Sequence, residues 1–305
     1  MSRKSLVLLL LLLSGLLLST VLSGAAAPQA TFGIYMPLVM KDYQLGPAII
    51  EGVVFDATIG QTSGPLAGAQ VCIKNDPASC VTSDETGYYQ LTGIQNRTYT
   101  IVATLSGYST LERTVSAKLF DGTAQSVTTV DLALSPAGLG SNQYRIVLTW
   151  GGPGIPTVDL DANLWLPRAT PYHIQQITGN NSGRGNCSAF PWACIDIDSV
   201  DGAAPETITI SQAQGGTYVY AVRHYDFAAG NYNNKPPLDQ SGAHVDVYDN
   251  NGLVASFDVP PSNDDFAIWW HVFDMDGSTG AITPVNAVNS ADPTGGGYPA
   301  DFVTP

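Results

Sequence analysis

From residue 48 onward, apolar positions fall into short runs cut by glycine, proline and aspartate. Ile49-Ile50-Glu51-Gly52-Val53-Val54-Phe55, Gly64 to Val71, Thr82 to Leu91, Tyr99 to Ala103 and Val127 to Leu134 are each of strand length and too short for a helix that buries one face. Val130, Leu132 and Leu134 alternate with their neighbours, which places one side of that segment inward and the other outward. Beyond a stretch rich in proline, glycine and serine (136–142), the same texture resumes in Tyr144 to Trp150, Leu160 to Trp165, Thr207 to Ile210, Gly216 to Val222, His244 to Tyr248 and Trp269 to Phe273. The pattern predicts an all-β protein of two β-sandwiches in tandem, at 48–135 and 143–289, joined by a linker at 136–142.

The ends read differently. Arg3 and Lys4 precede an apolar run from Leu6 to Leu22, and Ser23, Gly24, Ala25, Ala26 and Ala27 follow it. A basic start, an apolar stretch shorter than a spanning helix and small residues after it predict a cleaved signal peptide over 1–26, leaving no membrane span. Residues 27–47 read as a spacer or a Pro-broken edge strand, and 290–305, rich in glycine and proline, as a disordered tail.

Composition sharpens the class. The 22 aspartates outnumber the 4 glutamates, and 31 glycines and 20 prolines supply turns throughout. Aspartate bonds to its own backbone in turns, whereas glutamate favours helices, so the bias argues for β structure. The formal net charge is −14, and it becomes −16 once Arg3 and Lys4 leave with the signal segment. Nucleic acid and anionic lipid are therefore repelled. In an oxidising compartment the close pairs Cys72 with Cys80 and Cys187 with Cys194 are expected to form two local disulfides, each contributing about 2.5 kcal/mol by loop closure.

Two strings of motifs carry family resemblances. Gly52-x-Val54, Pro65-Leu66-Ala67-Gly68-Ala69-x-Val71, Thr82-x-Asp84-x-x-Gly87-x-Tyr89, Tyr99-Thr100-Ile101-x-Ala103 and Gly107-Tyr108 resemble the carboxypeptidase regulatory-like domain, a transthyretin-like, carbohydrate-binding-like fold. The family usually has glycine where Asn96-Arg97 stands, a change of turn. That resemblance implies a folding or docking accessory and brings no catalytic residue. Leu148-Thr149-Trp150, Asp159-Leu160-Asp161-x-x-Leu164-Trp165, Gly216-x-Tyr218-x-Tyr220 and His271-Val272-Phe273-Asp274-x-Asp276-Gly277 resemble the YfaP-like domain of uncharacterised bacterial secreted proteins, a family with no activity to carry over.

Three chemistries are open to these residues. Calcium is the candidate ion, because Asp159, Asp161 and Asn163 alternate along a strand, and Asp196, Asp198, Asp201, Asp274 and Asp276 stand at strand ends. Hard oxygens converging at one end of a sandwich suit Ca²⁺, and solvated turn aspartates are the competing account. Tyr218, Tyr220, Trp165 and Trp269 offer a polysaccharide surface if exposed, and core packing if not. Hydrolysis has least support. His173 is followed at +3 by Gln176 and His271 by Asp274, so the His-x-x-Glu pair of a zinc peptidase is missing, and no Gly-x-Ser-x-Gly elbow occurs. A Ser/His/Asp triad assembled in space stays open. The expectation is a non-enzymatic, secreted or cell-surface module that binds polysaccharide or another surface protein, with a hydrolase or its accessory as the third class.

Overall fold

The computed structural model describes residues 47–117, 126–152, 154–167, 173–174 and 187–294. The expected signal segment, the spacer up to residue 46 and the tail from residue 295 lie outside them.

Strands β1 (Pro47–Asp56), β2 (Gln70–Ile73), β3 (Asp76–Thr82), β4 (Tyr88–Gln95), β5 (Thr98–Thr104), β6 (Leu111–Ser116), β7 (Ser126–Thr129) and β8 (Leu132–Leu134) build the first sandwich. One sheet runs β4-β1-β7 with β8 also on β1, and the other runs β3-β2-β5-β6. Ile50, Val54, Val71, Tyr89, Leu91, Ile101, Leu111, Leu132 and Leu134 close the core between them. The motif residues have local physical reasons. Asp84 Oδ1 accepts hydrogen bonds from the Thr86 and Tyr88 N–H groups, and Gly87 completes that turn at φ 79°, where a Cβ would lie 2.4 Å from the Val54 carbonyl oxygen. At Gly52 a Cβ would come within 2.0 Å of the Val130 carbonyl, which passes directly over β1 between β7 and β8. Cys72 and Cys80 face each other across β2 and β3 and are disulfide-bonded.

The second sandwich contains β9 (Tyr144–Thr149), β10 (Leu160–Trp165), β11 (His173–Ile174), β12 (Ala193–Ile197), β13 (Glu206–Ile210), β14 (Thr217–His224), β15 (His244–Asp249), β16 (Gly252–Asp258), β17 (Trp269–Asp276) and β18 (Ile282–Asn289). Its sheets are β11-β10-β14-β17-β18 and β12-β13-β9-β15-β16. Ile146, Leu148, Leu160, Leu164, Ile208, Tyr218, Tyr220, Val245, Trp270 and Phe273 are among the residues filling the space between them. Cys187 and Cys194 form the second disulfide.

The two sandwiches belong to one compact unit. Phe55, Ala57 and Ala133 of the first pack on Val147 and Tyr248 of the second in a separate apolar cluster. Strand β8 is thus buried on both sides, and Ala133, which alternation turns outward, is 2% exposed because the neighbouring sandwich covers it. Polar bonds rim the seam. Arg113 Nη2 donates to Asp246 Oδ2 at 3.1 Å, Thr207 Oγ1 to the Ala57 carbonyl, and Arg145 Nη1 to Ser135 Oγ and the Pro136 carbonyl. The segment expected to link the sandwiches is itself tied down, since Ala137 N–H donates to the Gly107 carbonyl at 2.9 Å and Tyr108 pairs with Pro136.

Arg113 and Asp246 are 14% and 3% exposed at the side chain, so removing the arginine strands a buried charge. Arg113→Ala is expected to cost about 2 kcal/mol in urea unfolding, less than the ~3–5 kcal/mol of an uncompensated buried ion, because His244 and Ser256 still bond Asp246. A loss below about 0.5 kcal/mol would mean that the apolar cluster alone holds the seam.

Candidate functional site

Strand β10 has an anomaly that its sequence does not announce. Leu160, Ala162 and Leu164 enter the core as alternation requires, yet Asp161 and Asn163 on the opposite face are also buried, at 5% and 0% exposure. Their cross-strand partners on β14 are Arg223 and Ala221. Along the same face Trp165 packs with Val219, Ala221 and Trp269. Below the two-residue pairing with β11, no strand among the described residues covers the other edge of β10, and there the Ala162 N–H donates to Glu206 Oε2 at 2.6 Å. Glu206, at the start of β13, is wholly buried.

Around this edge the carboxylates feel one another. Burial, then the charges of Asp226 and Asp198, push Asp159 up to about 6 against the pull of Lys235. Burial and Asp159 push Asp161 up to about 7, although Arg223 Nη1 stands 3.9 Å from its carboxylate. Glu206 is raised well above its ordinary value, by burial first and by Asp161 and Asp198 next, while the Ala162 N–H opposes them. Asp226 differs. Burial alone would raise it, but Lys235 at 2.9 Å, the Asp159 N–H and Asn231 together hold it below the usual range. Asp159 Oδ1, Asn163 Oδ1 and the Tyr220 hydroxyl are buried without a hydrogen-bond partner, whereas Glu206 is also bonded to the Asp198 carboxyl group.

The aspartates expected to bind calcium therefore separate into two groups. Asp159, Asp161 and Asp198 are brought together, Asp201 lies near enough to raise Asp159, and Asn163 shares β10 with Asp161. Asp196 is apart, accepting from Thr209 Oγ1 at 2.6 Å and facing Arg145. Asp274 is bonded to His271 Nε2 at 2.8 Å, and Asp276 accepts from the Ser278 and Thr279 N–H groups in the β17–β18 turn. These three are engaged elsewhere, Asp196 and Asp274 by neighbouring side chains and Asp276 by its own turn. Glu206, which stands in the Asp198 to Thr207 stretch of the YfaP-like resemblance and is the lone glutamate of the region, is the acid left out of the expected calcium set. Among the described residues, the one set of three Cys, His, Asp or Glu ligand atoms within 4.8 Å is Cys187, Cys194 and Asp196, and the disulfide already occupies both sulfurs.

The expected sugar surface is corrected outright. Tyr218 and Tyr220 are 0% exposed, Trp165 3% and Trp269 9%, because one pair fills the core and the other packs under the outer face of the same sheet.

One Ser/His/Asp set does assemble. Ser256 Oγ lies 2.9 Å from His244 Nε2, and His244 Nδ1 lies 2.6 Å from Asp258 Oδ1. Asp246 changes its chemistry. Its Oδ1 sits 3.0 Å from the same Nε2 and 2.7 Å from Ser256 Oγ, so both ring nitrogens face carboxylates and the serine proton is already engaged. Burial would depress His244, but the hydrogen bonds to Asp246 and Asp258 outweigh it and raise it. With a carboxylate on each ring nitrogen, neither nitrogen is free to take the serine proton as a general base must. With Arg113 on the other oxygen of Asp246, the set forms part of the rim between the sandwiches.

This arrangement defines a protein of two joined all-β sandwiches with a buried acidic edge in the second. Residues 50–138 match the family model of the CarboxypepD_reg-like domain. No protein of curated function matches the chain. Among solved structures, a cohesin–X-dockerin complex from Acetivibrio cellulolyticus is similar at 18% identity over 28% of this chain and 52% of that one, with a TM-score of 0.20. Fervidolysin from Fervidobacterium pennivorans gives 10% identity over 78% and 31%, with a TM-score of 0.22. A streptococcal ancillary pilin gives 12% over 71% and 60%, with a TM-score of 0.21. The chain thus spans less than two thirds of each of these proteins, and overlaps at such scores carry no argument about function.

His244 gives a signed pH prediction. Its raised folded pKa contributes stability that is complete below about pH 6.5 and is lost as pH rises through the folded value. The lowered pKa values of Asp246 and Asp258 contribute above about pH 4 and fade as pH falls through their folded values. Urea midpoints of wild type minus His244→Gln should therefore narrow between pH 6 and 9. A difference that stays constant over that range would show that folding leaves the His244 pKa unshifted.

Proposed function

We propose that the protein is an exported, non-catalytic binding and structural module of the cell surface or extracellular space. On this reading its second sandwich is of the YfaP-like kind and is stabilised by calcium at the edge of β10. The observation that carries the calcium is Glu206, which is wholly buried with one oxygen on a backbone N–H and its carboxyl group bonded to that of Asp198, two acids that need a proton or a cation between them. Isolated buried carboxylates are costly unless paired, protonated or bound to a metal. Asp159, Asp161, Asp198 and the Asn163 carbonyl oxygen would complete an all-oxygen set of the sort Ca²⁺ takes. Closing it requires side-chain rotation, since no three of these acids, among the described residues, place an oxygen each within 4.8 Å of one another.

Export is supported by the two disulfides, which persist where glutathione does not reduce them. The non-catalytic reading rests on the carboxylates that engage both ring nitrogens of His244 and on the regulatory-like first sandwich. The partner in this account is a polysaccharide or another surface protein.

Thermal unfolding in EDTA and then in millimolar Ca²⁺ tests the ion. Binding at 100 times the dissociation constant adds about 2.7 kcal/mol, a rise of several degrees. Glu206→Gln should abolish that rise. If wild type unfolds at the same temperature in both buffers and Glu206→Gln is as stable as wild type, the buried glutamate carries a proton instead, and calcium leaves the account.

A further inference from the structure

The structure presents a pair of exposed rings away from the four aromatics that the sequence singles out. Tyr232 and Phe266 are 46% and 61% exposed, and they meet edge to face, with centroids 5.4 Å apart and planes at 87°. Buried Phe227 lies beneath both, at 5.1 Å from Tyr232 and 6.1 Å from Phe266, and itself stacks on His224 at 3.7 Å.

Both loops are held in place. Asp226 accepts from Asn231 Nδ2 and Lys235 Nζ on either side of Tyr232, and Lys235 also donates to the Thr157 carbonyl. Asp264 accepts from the Phe266 N–H and from Ser290 Oγ, and Ser262 N–H donates to Asp239. Two rings kept outward by this many bonds are preorganised, so a ligand does not have to order them.

We propose that Tyr232 and Phe266 form a binding corner for a neutral polysaccharide, one ring the floor and the other the wall for a single sugar unit. Two side chains are far less than the ~800 Å² per partner of a stable protein interface. The negative face of an aromatic ring attracts the C–H groups lining one side of a sugar. Asn233 and Asn234 after Tyr232, and Asn263 and Asp265 before Phe266, are exposed and bring amides and a carboxylate beside the rings, the groups that bond hydroxyls. A net charge of −14 selects against anionic polymers. The corner gives the polysaccharide partner of the proposed function its site and rests on that reading.

Affinity electrophoresis of the purified protein through gels containing hydroxyethylcellulose, xylan, galactomannan or mixed-linkage glucan tests it. At least one polymer should retard the wild type. Tyr232→Ala and Phe266→Ala should each weaken that association roughly five-fold or more, Tyr232→Phe and Phe266→Tyr should keep most of it, and all four should unfold at the wild-type temperature. Retardation by none of the polymers, or retardation that survives both alanine variants, overturns the proposal. So does a dimer in sedimentation that Phe266→Ala dissolves, since the rings would then be covered by a second copy.

Discussion

A strand buried on both faces must find partners for every polar group it carries, and in this protein β10 sets that demand. Its inward face is leucine and alanine and meets it without cost, whereas its outward face carries Asp161 and Asn163 into the same dry environment. Its open edge leaves the Ala162 N–H to be answered, and Glu206 answers it from the opposite sheet. Each later oddity of the second sandwich follows from that bond. A glutamate is drawn fully inside against Asp198, and burial together with neighbouring acids raises Asp161 and Glu206.

The seam between the sandwiches shows the opposite solution. Apolar residues of β1, β8, β9 and β15 cover one another, and charge is confined to the rim, where Arg113 and His244 share the neutralisation of Asp246. The arrangement explains why a serine, a histidine and an aspartate in triad order fall short of a nucleophile. The imidazole is already committed to two carboxylates, and the proton it holds secures the seam.

The tandem all-β architecture, both disulfides and the first-sandwich motifs were legible in the chain, because turn chemistry and cysteine spacing act over a few residues. Thr82-x-Asp84-x-x-Gly87 could be read as a turn since its bonds are local. What alternation cannot show is a second layer on the far side of a strand. Ala133 and Asn163 both read as outward-facing, and both are buried by elements far away in sequence. Glu206 stands out in the sequence as the region's lone glutamate, but its burial does not, because its bond to Ala162 spans 44 residues. The aromatic residues erred in the other direction. Tyr218, Tyr220, Trp165 and Trp269 sit in regular strands and went inside, while Tyr232 and Phe266, in loops without periodicity, stayed out.

The pairing of β1 has a mechanical consequence. It runs parallel to β7 and β8, with Val54, Phe55 and Asp56 opposite Leu132, Ala133 and Leu134. Tension applied between the beginning of β1 and the chain leaving β8 slides these strands along their length, so their hydrogen bonds bear load together instead of opening one at a time. The antiparallel β1–β4 pair adds a second ladder to the same strand. A module built this way resists being pulled out end to end more than its few-residue contact with β8 would suggest.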